Sequence, residues 1–240
     1  MEQFIFESKN HLKNSVGVDV ITIEGEEHFH LFRVLRAKVG DKILATDGKG
    51  KTCLCVIQRI GKTSSTCKVA EEYSELNSSS RKFWIGMAAL KPVSKLETAI
   101  EKCTELGARG FLLFNTERSE TINLRVDRMA GIIRSAVKQS LQSIIPELAI
   151  IKNLEEVATR SHAYEGKLVL HEKSNDAVEG YLTELNKDRT VIALVGPEGG
   201  FSDKEISFLA EKGFRSVSIG KSRLRSETAA IKIASLLGVY

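Results

Sequence analysis

The densest run of chemically useful residues is Leu194-Val195-Gly196-Pro197-Glu198-Gly199-Gly200-Phe201-Ser202. An apolar stretch of buried-strand type ends directly in a glycine-rich loop. Glycines at such a junction let a ligand approach the main chain closely, as loops at the carboxyl edge of open α/β sheets do. Ser202 and Glu205 stand at capping-box spacing, which marks a helix start and limits the loop to about five residues. By itself the segment describes a nucleotide-like site. Two phosphate loops are disfavoured by spacing. Gly196, Gly199 and Gly200 do not make G-x-G-x-x-G, and Gly220-Lys221-Ser222 has a Walker-type ending with Arg215 where the upstream glycine belongs.

A second loop, Ile219 to Thr228, carries Gly220, the cations Lys221, Arg223 and Arg225, and Ser226 placed to cap the last helix. Lys221 and Arg223 read as a solvated face. Arg225 lies between Leu224 and a helix N-terminus, where a guanidinium can hold an anionic or carbonyl group in planar, bidentate geometry. Cys53, Cys55, Cys67 and Cys103 form no CxxC, so they read as small buried hydrophobes, and neither a disulfide framework nor a metal site is expected.

The elements that must position these loops fall into two regimes. Residues 1–72 are dominated by short β-like runs, Val18 to Ile23, Lys42 to Thr46 and Thr52 to Ile57, with Asp47-Gly48-Lys49-Gly50 as the clearest hairpin turn. One helical stretch interrupts them. His28 to Arg36 places Phe29, Phe32 and Leu35 on one face and His30, Arg33 and Arg36 toward another. A polar, serine-rich stretch over 73–81 reads as a linker. From residue 82 to 240 strands and helices alternate: strand Phe83 to Leu90, helix Ser94 to Leu106 stopped by Gly107, strand Phe111 to Asn115, helix Asp127 to Ser143. Strands Leu168 to His171 and Val191 to Val195, helix Asp203 to Lys212 stopped by Gly213, strand Ser216 to Ile219 and helix Glu227 to Leu237 follow. Such alternation predicts an α/β domain with a mainly parallel sheet covered on both faces.

Charge decides little. The net charge is +4, and the first 72 residues carry 11 basic against 10 acidic side chains, compatible with an RNA partner without demanding one. No apolar stretch is long enough to span a bilayer, and Met1-Glu2-Gln3-Phe4 does not open a signal peptide, so a soluble, cytoplasmic protein with no membrane partner is expected.

Gly-Pro-Glu-Gly-Gly-Phe-Ser at 196–202 together with Leu-Arg-Ser-Glu-Thr-Ala at 224–229 resembles the cofactor-loop signature of the 16S ribosomal RNA uracil-N3 methyltransferase family. Further matches in order are His30-Leu31-Phe32-Arg33-Val34-Leu35-Arg36 with Val39-Gly40-Asp41, the Asp47 to Gly50 turn, Lys102 to Gly107, Thr116-Glu117-Arg118-Ser119 and Leu170-His171-Glu172. The resemblance implies a PUA-like β-barrel RNA-binding domain over 1–72, followed by a SPOUT methyltransferase domain with a deep trefoil knot. It implies S-adenosylmethionine as cofactor, held by three strand-end loops: Leu170, His171 and Glu172; Gly196, Pro197, Glu198, Gly199 and Gly200; Ile219, Gly220, Leu224 and Arg225. Two departures stand out. The family usually shows Glu-Gln-Ser-x-Arg where this chain has Lys138-Gln139-Ser140-Leu141-Gln142, and Arg223 replaces a usual isoleucine.

The implied reaction is methylation at N3 of uracil 1498 of 16S ribosomal RNA in the small ribosomal subunit. Alignment is its largest demand, since oriented reactants supply about 7 to 11 kcal/mol, while a positioned base contributes roughly 10² to 10⁴ in rate. Arg225 is the candidate for the uracil carbonyl or developing imidate, with Glu198 or Glu227 as proton acceptor, and His171 is assigned to the pocket wall. Expected RNA contacts are Arg33, Arg36, Lys49 and Lys51, with His28 and His30 beside them, Arg118 at the active-site rim, and Gln139 in the long helix. The last helix, with only Lys232 charged from Thr228 onward, reads as apolar on every side and predicts burial against a second subunit, hence a homodimer. Rival readings are a SPOUT enzyme acting on transfer RNA or 23S ribosomal RNA, and a non-catalytic RNA-binding assembly factor.

Overall fold

A computed structural model describes residues 1–13, 17–119, 124–185 and 189–239. The chain divides into two compact units: residues 1–78 with 137–145, and residues 79–136 with 146–240.

The first unit is built on short strands whose alternate residues are apolar. β1 (Gln3–Ile5), β2 (His11–Lys13), β3 (Asp19–Glu24), β4 (Lys42–Thr46), β5 (Lys51–Ile60) and β6 (Ser64–Ser74) form one sheet in the order β1-β4-β5-β6-β3-β2. All its neighbours pair antiparallel except β1 with β4. The Asp47 turn closes the β4–β5 hairpin as its sequence requires. Gly48 (φ 71°) and Gly50 (φ 116°) take the left-handed conformations, and the Asp47 carboxylate accepts the Lys49 and Lys51 amides at 2.8 and 3.1 Å. Phe4, Ile21, Ile23, Leu31 and Ile57 fill the core together with Cys53, Cys55 and Cys67.

Two features of this unit go beyond what its sequence shows. The helical stretch begins as α1 (Gly25–Phe29) and continues as a π-helical turn over His30–Val34, with the Leu35 amide bonded five residues back to the His30 carbonyl at 3.0 Å. Its buried positions are His28 and Leu31, while Phe29, Phe32 and Leu35 are exposed, so the aromatic face looks outward. The unit is also discontinuous. Residues 137–145 join it because Gln3 Nε2 donates to the Gln142 carbonyl at 2.6 Å, Thr46 Oγ1 donates to the Ser143 carbonyl at 3.1 Å, and Ile145 lies against Gly48. β6 runs to Ser74, and the Leu76 carbonyl accepts the Ser143 amide at 3.2 Å, so the first half of the 73–81 stretch is structured within the first unit.

In the second unit β7 (Phe83–Ala88), β8 (Gly110–Phe114), β9 (Glu147–Ile150), β10 (Gly166–Leu170), β11 (Val191–Val195) and β12 (Arg215–Val217) form an all-parallel sheet ordered β12-β10-β11-β7-β8-β9. β8 and β11 are buried along their whole length, as continuous apolar runs in a covered parallel sheet should be. The connecting helices are α2 (Val93–Glu105), α3 (Val126–Gln139), α4 (Leu154–Arg160), α5 (Val178–Glu184) and α6 (Asp203–Glu211), and α7 (Ser226–Val239) follows the last strand. Gly107 (φ 90°) and Gly213 (φ 82°) end α2 and α6 where the sequence places the stops. β9, α4 and α5 escape sequence reading because they are short. The long helix ends at Gln139 instead of Ser143, since Leu141 turns left-handed (φ 56°) and the Gln142 amide bonds back to Val137. α7 is not apolar on every side. Ala230, Ile233, Ala234 and Leu237 form its buried stripe, while Thr228, Lys232 and Ser235 are exposed. α7 packs on α2, β7 and β11.

Candidate cofactor site in the second unit

β12, β10 and β11 are adjacent and parallel, so the loops leaving their carboxyl ends open on the same edge of the sheet. This brings together three segments that are far apart in sequence. They surround a cavity of about 500 Å³, a size typical of small-molecule sites. From β10 come Leu170, His171 and Glu172; from β11 come Gly196, Pro197, Glu198, Gly199 and Gly200; and Ile219, Gly220, Leu224 and Arg225 follow β12. Further lining comes from Lys173, Val195, Phe201, Asp203, Ser222, Arg223, Ser226 and Ala229, and Arg118 reaches in from the loop after β8.

Glycine is required locally at two of these positions. A Cβ on Gly196 would lie 3.1 and 3.2 Å from the Phe201 ring and 3.2 Å from the Phe201 amide nitrogen, and Gly200 has φ 66°. The wall is therefore bare main chain at the point where the strand ends. The lining pairs apolar side chains, Leu170, Val195, Ile219 and Leu224, with the guanidinium groups of Arg118 and Arg225. Such a cavity suits a nucleoside whose ring lies against apolar walls and main-chain donors, with the exposed Arg225 guanidinium left to meet an anionic or carbonyl group.

Hydrogen bonds hold the β11 loop from three directions. Ser202 caps α6 by accepting the Glu205 amide at 3.2 Å, and the Glu205 carboxylate accepts the Ser202 amide at 2.8 Å, completing the capping box read from the sequence. Arg118 Nη1 donates to the Gly199 carbonyl at 2.7 Å. Lys95, from α2, donates to Glu198 at 2.9 Å. Burial pushes the Glu198 carboxyl up, but hydrogen bonds from Lys95 and from its own amide outweigh burial and hold it below the usual carboxylate range. His171 sits in the wall as expected, its amide donating to the Val217 carbonyl at 2.9 Å. Sequence reading missed Lys95, quoted Phe201 in the loop motif without giving it a role, and placed Arg118 at the rim without its link to Gly199. Neither Lys95 nor Arg118 lies near the loop in sequence.

Other predicted residues fall elsewhere. Glu227 does not line the cavity: it sits one position past Ser226 in the first turn of α7, where Ser226 and Ala229 face the ligand space. Among the described residues its Oε2 is buried without a hydrogen-bond partner. In the first unit Arg33, Arg36, Lys49 and Gln139 are exposed. Lys51 is half-buried and committed to Glu72 at 3.0 Å, because the β5–β6 register sets Glu72 opposite Cys53, two residues along β5 from Lys51. His28 is buried with Nδ1 2.9 Å from Ser65 Oγ, and His30 tilts against the Phe4 ring, so neither forms a phosphate-contacting surface. Lys138 pairs with Glu27 at 2.9 Å. The four cysteines are free and buried.

Residues 77–238 match the family model of an RNA methyltransferase domain, and residues 23–70 match that of an RNA methyltransferase PUA domain. The chain is 30% identical to ribosomal RNA small subunit methyltransferase E of Aquifex aeolicus, over 91% of this chain and 93% of that protein. Its identity to the enzyme of the same name from Bacillus subtilis is 28%, over 90% and 88% of the two chains. A Legionella pneumophila protein, Lpg2936, described as a methyltransferase and solved with S-adenosylmethionine bound, superposes with a TM-score of 0.82 at 26% identity, over 100% of this chain and 97% of that one.

Proposed function

Because this chain belongs to the RNA methyltransferase family, we propose that it uses S-adenosylmethionine to methylate N3 of uracil 1498 in 16S ribosomal RNA of the small subunit. The observation that supports this best is the convergence of the three strand-end loops on one glycine-walled cavity that also holds Arg118 and Arg225. Bound there, the cofactor would supply a methyl group on a positively charged sulfur. The rest of the work falls to the chain. Gly196 and Gly199 present main-chain amides to the ligand, each satisfied amide contributing about 1 kcal/mol net, while the Gly200 amide is spent on the Pro197 carbonyl at 2.9 Å. The exposed Arg225 guanidinium takes the uracil carbonyl and stabilises the imidate left when the N3 proton departs.

Proton removal is assigned a smaller share. Glu227 stands outside the cavity lining. Glu198 lies in it, but its pairing with Lys95 favours the charged form and makes it a weak base at neutral pH. Its proposed role is to tie the β11 loop to α2, and the N3 proton is released to solvent water.

The proposal extends to the fold as a PUA-like unit that docks RNA and a SPOUT unit whose C-terminal segment is threaded as a trefoil knot. A homodimer is proposed as well, with Ile231 and Leu236, the half-covered flanks of α7, against the partner. No described helix is long and apolar enough to cross a membrane, and the proposed substrate places the protein in the cytoplasm.

The test is mass mapping of methylated nucleosides in ribosomal RNA from cells with and without the protein, with tritiated cofactor used on purified small subunits and on naked 16S RNA. Loss of N3-methyluridine from the small subunit supports the proposal, and an unchanged nucleoside profile overturns it. With nearly balanced charge over residues 1–72, loose RNA should be a poor substrate compared with assembled subunits.

A further inference from the structure

The helical stretch of the first unit turns its largest apolar side chains to solvent. Phe29 is 59% exposed, Phe32 42% and Val34 58%, with Leu35 and Val39 beside them in sequence and also exposed. Phe29, Phe32, Val34 and Leu35 fall within seven consecutive residues, a density that sets them apart from the scatter of single apolar residues found on most surfaces.

The turn is held in an unusual shape. It is π-helical over His30–Val34, and it ends at Arg36 in the left-handed conformation (φ 52°), an arrangement that costs a non-glycine residue about 1 kcal/mol or more. The Phe32 ring is fixed in direction. It stacks nearly parallel to the buried His28 imidazole, with centroids 6.0 Å apart and an angle of 7°, and Ser65 Oγ anchors that imidazole. The Arg33 guanidinium lies 5.7 Å from the Phe32 centroid. From His28 to Gly40 the charges are Arg33, Arg36 and Lys38 with no acidic residue, a concentration of positive charge in a segment of otherwise balanced composition.

We propose that this turn is a stacking platform for unpaired nucleotides, with bases laid on Phe32 and Phe29 and the flanking phosphates met by Arg33 and Arg36. Aromatic rings interleaved with arginines at an exposed, rigid turn match what single-stranded RNA offers: flat bases on a negative backbone. A second copy of this chain is a poorer occupant, since a two-fold contact through this patch would set its cations against themselves. The platform rests on the RNA reading given above, and it replaces a contact through phosphates alone by one in which the aromatic residues carry much of the affinity.

The experiment uses the full chain and a fluorescent single-stranded RNA oligonucleotide, with the same sequence annealed to its complement as control, and reads the dissociation constant by anisotropy across a salt series. Phe32→Ala should weaken single-strand binding between about fivefold and 100-fold with an unchanged salt slope. Arg33→Ala should reduce the slope by about 1, and Phe32→Trp should restore binding. Thermal denaturation checks that the variants fold. Wild-type affinity in the Phe29→Ala, Phe32→Ala double variant, a preference for the duplex, or a change in oligomeric state with no change in RNA affinity would each overturn the platform. Methyl transfer to small subunits is followed in parallel. If the wild type transfers no methyl group, the enzymatic reading fails; if it does and Phe32 has no effect on RNA affinity, the platform alone fails.

Discussion

The Glu205 carboxylate accepts the main-chain amide of Glu117 at 2.9 Å, joining the loop after β8 to the first turn of α6 across 88 residues of sequence. Its other oxygen accepts the Ser202 amide. One buried side chain thus holds both the capping box and the loop from which Arg118 reaches Gly199.

Glu205→Gln should therefore do two things. Converting one acceptor oxygen to a donor group sets it against a buried amide, which costs about 1 to 3 kcal/mol and lowers Tm by roughly 2 to 12 °C. Cofactor affinity should fall about tenfold by calorimetry, because Arg118 is released with its loop. Ser202→Ala removes the cap hydroxyl alone, costs about 1 kcal/mol, and should leave affinity nearly intact. Equal affinity losses in both variants would show that Glu205 acts only through the helix cap.

The Lys95 to Glu198 tie has a defined pH window. Because the folded carboxyl sits below its ordinary value, the contribution of the pair is fully present above the ordinary carboxylate range and is lost as pH falls through the lowered value. Cofactor affinity measured from about pH 6 to 9 should be flat on account of this pair and should weaken only in acid. Lys95→Ala moves the carboxyl up toward its ordinary value and shifts the acid limb to higher pH. The side chains are partly exposed, so the variant should lose no more than about fivefold in affinity at neutral pH.

Arg225→Ala should lower kcat by about 10² to 10³ with little change in cofactor affinity, the loss expected on removing a donor aimed at developing charge. Glu198→Gln should reduce kcat less than tenfold, since a strongly ionised carboxylate makes a poor general base. Single-turnover transfer to small subunits reads both. A larger loss from Glu198→Gln than from Arg225→Ala would reverse the assignment of roles.

The buried thiols give a fourth measurement. Burial pushes Cys53 up to about 11 and Cys67 up to about 12, and raises Cys55 and Cys103 as well. At pH 8 the native protein should react with a thiol reagent only as fast as it opens, and all four should label at once in denaturant. The sign for stability is the reverse of that for a lowered carboxyl. The unfolded thiols ionise first, so Tm should fall as pH climbs from about 9 toward 11. Rapid native labelling at a single site would show that it lies outside the closed core.

The glycine loop at 196–200, the basic loop at 219–225, the capping box at Ser202 and the Asp47 turn were legible in the residues alone, because glycine, aspartate and serine state local backbone requirements within a few positions, whereas the loop at 170–172 was pointed out only by family resemblance. The alternation after residue 82 likewise announced a parallel sheet, since buried strands read as continuous apolar runs. What tertiary structure decided was pairing over distance and the direction of faces. Helical spacing groups Phe29, Phe32 and Leu35 without saying whether that face is inward, and packing chose His28 and Leu31. Lys51 looks like a free cation until β6 sets Glu72 beside it. The return of residues 137–145 to the first unit, and the links from Glu205 to Glu117, Arg118 to Gly199 and Lys95 to Glu198, join residues some 80 to 140 positions apart. No local pattern encodes such partners, because each contact exists only once the fold has brought its two segments together.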